Sequence, residues 1–399
     1  MSAAHLDELL AAKEIVVCCG SGGVGKTSIA ASIALGAARR RDVTALVLTV
    51  DPAKRLATAL GLESLGNREV EVAPDVLAAA GVELGGRLFA AMLDTKQSWD
   101  ELVMRHAPDE ATAMRILTNR LYHNLTARFV QSHDYIAMER LFELHASGRY
   151  DLIVVDTPPT RNAVDFLDAP QRMAEFFGGR LLRWLTLPYR VGGGRGARMV
   201  NAASKPFYQV ADRLLGSKFL EEIAEFFLNF QSMYDGFVQR ARAVELLLCD
   251  RRTSFVVIST LESAPLREAE AFCSELRKRS FSLGALVLNR TLPGYFLDPQ
   301  ARAVASRLQR DASKVAHVHA GEWGQDVASV ERVLSTVTTS FERFGAVAQH
   351  EAALKKQIVD SPTTVVTVPN RSADIADASG LAWIATHLFA EPTTSEAVQ

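Results

Sequence analysis

The chain has 399 residues, 48% of them hydrophobic and 23% charged, which is enough for one large domain or two small ones with a sizeable core. Lys and Arg number 44 against 46 Asp and Glu, a formal net charge of −2 that leaves no overall electrostatic footprint for nucleic acid. The composition excludes a disordered, collagen-like or disulfide-stapled protein.

The first fourteen residues carry Asp7 and Glu8 and have no basic run, so they do not read as a secretion signal. No run reaches the roughly 18 apolar residues of a membrane span. Four Cys are too few for a disulfide framework, and Cys18 and Cys19 would point to opposite faces of a strand. Together these features lead us to expect a cytoplasmic protein, at most peripheral at a membrane. A mean hydropathy of +0.06 points weakly to an apolar surface for a partner.

In chain order, residues 15–19, 44–50, 152–155, 255–259, 285–288 and 364–368 are short apolar runs rich in β-branched residues, the pattern of strands buried on both faces. Helical periodicity lies between them, as over 27–39 and 264–279. Strands alternating with helices predict an α/β fold, a mostly parallel sheet covered by helices. We expect an α/β core from 12–97, 148–169, 250–299 and 359–390. A helical subdomain would be inserted at 98–147 and 170–249, a further helical section would lie at 300–358, and 391–399 would be a disordered tail.

Directly after the first strand comes Gly20-Ser21-Gly22-Gly23-Val24-Gly25-Lys26-Thr27-Ser28, which then opens a helix. It fits the G-x-x-x-x-G-K-[ST] phosphate loop in sequence and in context. Its glycines free backbone N–H groups to cradle phosphate oxygens, and the helix points its positive end at the same anion. Lys26 would reach the β- and γ-phosphates, and the Thr27 hydroxyl would ligate Mg²⁺. The same residues also satisfy G-x-G-x-x-G, with Asp51 ending the second strand where a dinucleotide enzyme holds a ribose, so the loop alone leaves both readings open. The run Leu152-Ile153-Val154-Val155-Asp156 breaks the tie. An apolar strand ending in Asp is where a nucleotide triphosphatase holds the Mg²⁺ shell, and a dinucleotide fold has no use for it.

With these motifs the chain resembles the ArsA, or guided-entry, ATPases: the arsenite-pump ATPase and the tail-anchored-protein targeting ATPases, relatives of the MinD-like and nitrogenase iron-protein ATPases. Asp51-Pro52-Ala53 resembles that family's first switch, and Asp156-Thr157-Pro158-Pro159-Thr160 its second. The resemblance implies a P-loop NTPase fold with ATP or ADP and Mg²⁺ as cofactors. It implies that Asp51 orients the attacking water and touches the metal through water; a turn or helix-capping role for Asp51 stays open. It also implies that Asn289 contacts adenine and Pro369 lies in the adenine-side loop, each being equally readable as a plain loop residue.

Three departures qualify the resemblance. The family pattern carries a lysine that reaches across a dimer where this chain has Ser21, so slow turnover, or a cation supplied by a paralogous subunit, is expected. No C-x-x-C joins subunits through zinc, Cys249 and Cys273 being far apart and the nine His unpaired in spacing, so no zinc is expected. Thr160-Arg161-Asn162 replaces the family's usual Thr-Gly-His.

For the output, Phe219, Ile223, Phe226, Phe230, Met233 and Phe237 make one apolar stripe at helical spacing, either core or an exposed groove for an apolar client helix. Residues 176–210 hold Arg180, Arg183, Arg190, Arg195, Arg198 and Lys205 without an acid, either a solvated loop or a basic lid near a membrane or client. The expected function is a Mg²⁺-ATPase whose dimer closes on ATP and opens on hydrolysis to control a hydrophobic client or membrane partner. The alternatives are the ATPase subunit of an arsenite-type anion pump, for which no thiol cluster is seen, and a nucleotide-gated scaffold with slow turnover.

Overall fold

The computed structural model describes residues 6–50, 55–128, 130–157, 168–169, 171–172, 175, 223, 225–230, 233–358 and 364–390. Its centre is an eight-stranded sheet. The strands are β1 (Ile15–Cys19), β2 (Thr44–Thr49), β3 (Val70–Glu71), β4 (Arg87–Met92), β5 (Leu152–Asp156), β6 (Thr253–Ser259), β7 (Leu283–Thr291) and β8 (Thr364–Pro369), in the order β3-β4-β2-β5-β1-β6-β7-β8. All neighbours are parallel except the short β3, which runs antiparallel to β4 at the edge.

The six strands read from apolar runs are all present. β1, β5 and β6 are buried at every residue, as a strand covered on both faces requires. β4 is an addition: its Arg-Leu-Phe-Ala-Ala-Met sequence is rich in helix formers, and pairing with β2 over its whole length makes it a strand.

Side chains alternate between two apolar layers. Cys19, Val17 and Ile15 face one, Cys18 and Val16 the other, so the two adjacent thiols do point opposite ways. One layer is closed by α1 (Leu6–Ala11), by α2 (Lys26–Ala38) and by the C-terminal helix Ala378–Leu388. α2 carries Ala and Ile almost all round and is buried on nearly every side, because it lies between the sheet and the C-terminal helix. Ser32 Oγ donates to the Leu381 carbonyl at 2.9 Å, satisfying a fully buried hydroxyl.

The opposite layer is closed by helices 95–106, 110–117, 120–128 and 130–146, by helix Tyr234–Cys249 and by helix Ser263–Lys278. Trp99, Tyr122, Tyr135, Phe226 and Phe237 belong to one continuous apolar cluster with β1, β5, β6 and β7. Helices Pro299–Arg310, Ala312–His319 and the 31-residue Val327–Gln357 follow β7 and pack on one another. No helix among the described residues is long and apolar enough to cross a membrane.

Of the two readings of the aromatic stripe, the described residues support core, though not on one continuous helix. Phe226, Phe230, Met233 and Phe237 are each at most 3% exposed; Phe226 packs on Phe230, Phe230 stacks on Phe237, and Phe237 packs on Trp99 and Tyr135 inside the core. Nor do they ride one helix: Met233 is the N-cap of the helix starting at Tyr234. The described part of the stripe is therefore core, not an exposed client groove, because its aromatic rings fill the space between helices 95–106 and 130–146. Phe219 and the basic segment 176–210 lie outside the described residues.

Candidate phosphate-binding site

β1 ends at Cys19 and α2 begins at Lys26, so the glycine-rich loop spans residues 20–25 at the C-terminal edge of the parallel sheet. That edge, at the helix N-terminus, is where the fold naturally presents amides to an anion. Two glycines are required by geometry. At Gly20 an added Cβ would lie 2.1 Å from the Ile258 carbonyl oxygen of β6, so the loop can pass this strand only without a side chain. Gly25, the N-cap of α2, has φ +93°, and an added Cβ would lie 2.4 Å from Asn289 Nδ2. Having no side chain, Gly25 cannot cap the helix itself, and the first intrahelical bond runs from Ile29 N to Gly25 O. Gly22 and Gly23 stand exposed at the tip, Val24 anchors the loop in the core, and Ser28 is half-buried in the first turn of α2.

Lys26 is 7% exposed, and its Nζ donates to the Ser21 carbonyl at 2.9 Å, folding the ammonium back over the loop. Thr27 Oγ1 donates to Asp156 Oδ2 at 2.6 Å, and Thr49 Oγ1 donates to the same oxygen at 2.9 Å. The register explains the convergence. Asp156 is paired with Cys18 on one side and Thr49 on the other, so the last residue of β5 sits between the ends of β1 and β2, directly beneath the start of α2. Asp156 is 1% exposed. The next residue, Thr157, is buried and donates through Oγ1 to the Cys18 carbonyl at 2.8 Å, which holds the chain as it leaves the strand. Burial pushes the thiols of Cys18 and Cys19 well up, that of Cys19 to about 12, so both are neutral filling under the loop.

On the far side, Asn289 near the end of β7 is 6% exposed, and its Nδ2 donates to the Val24 carbonyl at 2.8 Å. Pro369 ends β8 one strand further out, paired with Thr291. Ser21 Oγ donates to Glu268 Oε2 at 2.5 Å, Glu268 lying on the helix that follows β6.

The structure thus gathers Gly20 to Ser28, Asp156 and Asn289 around one loop, while Pro369 is placed only at the end of β8, beside Thr291 of β7. Asp51, with its switch, and residues 158–162 of the second switch lie outside the described residues. Thr49, Thr157 and Glu268 are additions. Thr49 stands two positions before Asp51, but only the β2–β5 register shows that it reaches Asp156.

The donor set fits a magnesium nucleotide: a hydroxyl and a carboxylate as hard oxygen ligands, an ammonium, and a glycine-built backbone cradle at a helix N-terminus. Among the described residues no group of three or more His, Cys, Asp or Glu could hold a metal by itself, so a cation here would need oxygens from its nucleotide or water to complete its shell.

Comparison with known proteins agrees. Residues 13–322 match the family model described as anion-transporting ATPase. An uncharacterized protein of Streptomyces coelicolor is 28% identical over 278 residues, covering 69% of this chain and 61% of its own. The "ATPase ASNA1 homolog" of Plasmodium berghei is 22% identical over 283 residues, covering 68% of this chain and 61% of its own. The "ATPase GET3" of Malassezia globosa is 22% identical over 278 residues, covering 69% and 72%. The chain thus spans about three fifths of the length of the first two relatives, 61% in each. With the family match running from before β1 to beyond β7, the chain belongs to the anion-transporting ATPase family, the ArsA and guided-entry group that its loop and strand-end motifs resemble.

Proposed function

We propose that this protein is a Mg²⁺-dependent ATP hydrolase whose nucleotide cycle closes and opens a dimer and so controls a hydrophobic client or membrane partner. The observation that carries the hydrolase reading is the 2.6 Å bond from Thr27 Oγ1 to Asp156, beneath a glycine loop at a helix N-terminus. A hydroxyl and a buried carboxylate held together at the mouth of the loop are the arrangement a phosphate-bound Mg²⁺ requires.

The roles follow from chemistry. The loop amides and the start of α2 bind the phosphate chain. Lys26, released from the Ser21 carbonyl, swings its ammonium to the β- and γ-phosphates. Thr27 and Asp156 would hold the Mg²⁺. Mg²⁺ supplies charge neutralisation on the transferring phosphoryl group. Asp51 positions the attacking water, since phosphoryl transfer depends on placement and charge more than on covalent help. Lacking a lysine at position 21, a dimer of this chain alone turns over slowly unless a paralogous subunit supplies a cation.

Steady-state ATP hydrolysis by the full chain tests the reading. Activity should require Mg²⁺ and fall at least a hundredfold in Lys26→Ala. Magnesium-independent activity, or activity indifferent to that change, would overturn it. Crosslinking with and without a non-hydrolysable ATP analogue tests the dimer cycle, the expected result being more dimer with the analogue.

A further inference from the structure

Asn289 is placed to do something other than recognise a base. It is 6% exposed, and its two polar atoms are both engaged from within the chain. Oδ1 accepts from the Arg290 backbone N–H at 3.0 Å, and Nδ2 donates to the Val24 carbonyl at 2.8 Å. The first bond fixes the amide's orientation. Within the last residues of β7, Arg290 adopts φ +58°, a left-handed conformation, and the ladder with β8 shifts register between Asn289 and Thr291. With Oδ1 held by the Arg290 N–H, Nδ2 is aimed at the phosphate loop.

Its target is informative. Val24 and Gly25 are the residues at which the loop must turn its amides toward the anion before α2 begins. Pinning the Val24 carbonyl back toward β7 orients the Val24–Gly25 peptide, since the carbonyl and N–H of a trans peptide lie in one plane and point in opposite directions. The Gly25 N–H is thereby directed away from Asn289. The approach is close, an added Cβ at Gly25 coming 2.4 Å from Asn289 Nδ2, and the φ of +93° there independently favours glycine. Asn289 and Gly25 therefore form one joint across 264 positions of sequence, linking the last phosphate-loop glycine to a strand two places away from β1 in the sheet.

We infer that Asn289 is a positioning residue for the phosphate loop, preorganising its backbone for the anionic end of the nucleotide whatever base that nucleotide carries. This rests on the nucleotide reading given above. Preorganised amides need no reorientation when the anion arrives, so affinity for phosphate itself is what the residue raises. One Nδ2 hydrogen and a lone pair on Oδ1 are left over, so contact with a purine edge is compatible with this role but is not its basis.

The test uses two ligands and two variants. Binding of ATP and of inorganic tripolyphosphate, which has no base, is measured with Mg²⁺ for the full-length protein, Asn289→Ala and the near-isosteric Asn289→Asp. Loss of one hydrogen bond to a buried carbonyl should weaken both ligands by about tenfold in Asn289→Ala. Asn289→Asp, which turns a carboxylate on the Val24 carbonyl, should weaken both further. Amide hydrogen exchange over residues 22–27 in the ligand-free protein should be faster in both variants.

Loss of ATP affinity with wild-type tripolyphosphate affinity and unchanged exchange would mean a base contact only and would overturn the inference. Unchanged affinity for both ligands would overturn it equally. Failure of the unmodified protein to bind either ligand overturns the nucleotide reading itself, a result recognisable because it needs no variant.

Discussion

The Ser21 hydroxyl lies 2.5 Å from a carboxylate oxygen of Glu268, a residue 247 positions away on the helix after β6. Where the resemblance leads us to expect a lysine, this chain has a neutral donor tied to an acid. An ammonium introduced at position 21 would meet that acid in its own subunit before it could reach across to another. Ser21→Lys should therefore raise ATP turnover only modestly, by less than tenfold. Ser21→Lys combined with Glu268→Ala should raise it further, toward the 10³-fold or more that a cation in trans can supply. Steady-state hydrolysis of the single and double variants decides this. Equal rates in the two would show that Glu268 does not hold the introduced charge.

Asp156 receives two hydroxyls on one oxygen, Thr27 from α2 and Thr49 from β2. The two are not equivalent. Thr27 stands at the loop mouth and is free to exchange the carboxylate for a metal, whereas Thr49 is 1% exposed and serves to aim the carboxylate. Thr27→Ala should abolish Mg²⁺-dependent hydrolysis while leaving metal-free nucleotide binding within a few fold. Thr49→Val should retain activity but raise the Mg²⁺ concentration for half-maximal rate by about tenfold, the size of one hydrogen bond to a charged group. A Mg²⁺ titration of activity distinguishes them. An unshifted midpoint in Thr49→Val would remove the aiming role.

How far the sequence anticipated this site depends on the range of the interaction. The loop, Lys26, Thr27 and Asp156 were legible because each follows a recognisable apolar strand, and the strands were legible because burial on both faces leaves a continuous apolar run. β4 escaped because Leu88, Ala90, Ala91 and Met92 suit a helix as well as a strand, and only pairing with β2 decides. Thr49 and Glu268 escaped because strand order and helix docking bring them to the loop, and no local pattern encodes either. The stripe at Phe226, Phe230, Met233 and Phe237 shows the limit of periodicity, which identifies an apolar face but not what covers it. Phe230 and Phe237 stack with centroids 5.1 Å apart beneath Trp99 and Tyr135. Phe230→Ala should accordingly lower stability by about 3–5 kcal/mol in urea denaturation.

That core also holds a charge pair. Glu139 on helix Val130–Ala146 and Arg240 on helix Tyr234–Cys249 meet at 2.5 Å, with Tyr135 Oη donating to the same carboxylate at 2.9 Å and the guanidinium over the Phe237 ring. Desolvation raises the Glu139 carboxyl above its usual range despite the arginine beside it. Removing one partner strands the other, so Glu139→Leu or Arg240→Met alone should each lower stability by about 3–5 kcal/mol. The double change Glu139→Leu with Arg240→Met removes both charges and should recover most of that loss. Urea midpoints of the three variants form the cycle. A double variant as unstable as the sum of the singles would show that the pair is not acting as a unit.

His106 gives the fold a pH dependence that can be located. It lies in the last turn of helix Thr95–His106, and burial, followed by the charges of Arg240 and Arg105, pushes its pKa down from 6.5 to about 4. Between those values the unfolded chain binds a proton at this residue that the folded chain refuses. Stability from this group is therefore complete above pH 6.5 and is lost as the pH falls toward 4. Burial sets the direction, and the two arginines add to it, since a cationic imidazole near them would be repelled. His106→Gln, which cannot take up the proton, should show a shallower fall in urea midpoint from pH 6.5 to 4.5 than the unmodified protein, with matching midpoints above pH 7. Parallel pH profiles for the two proteins would place the acid sensitivity elsewhere.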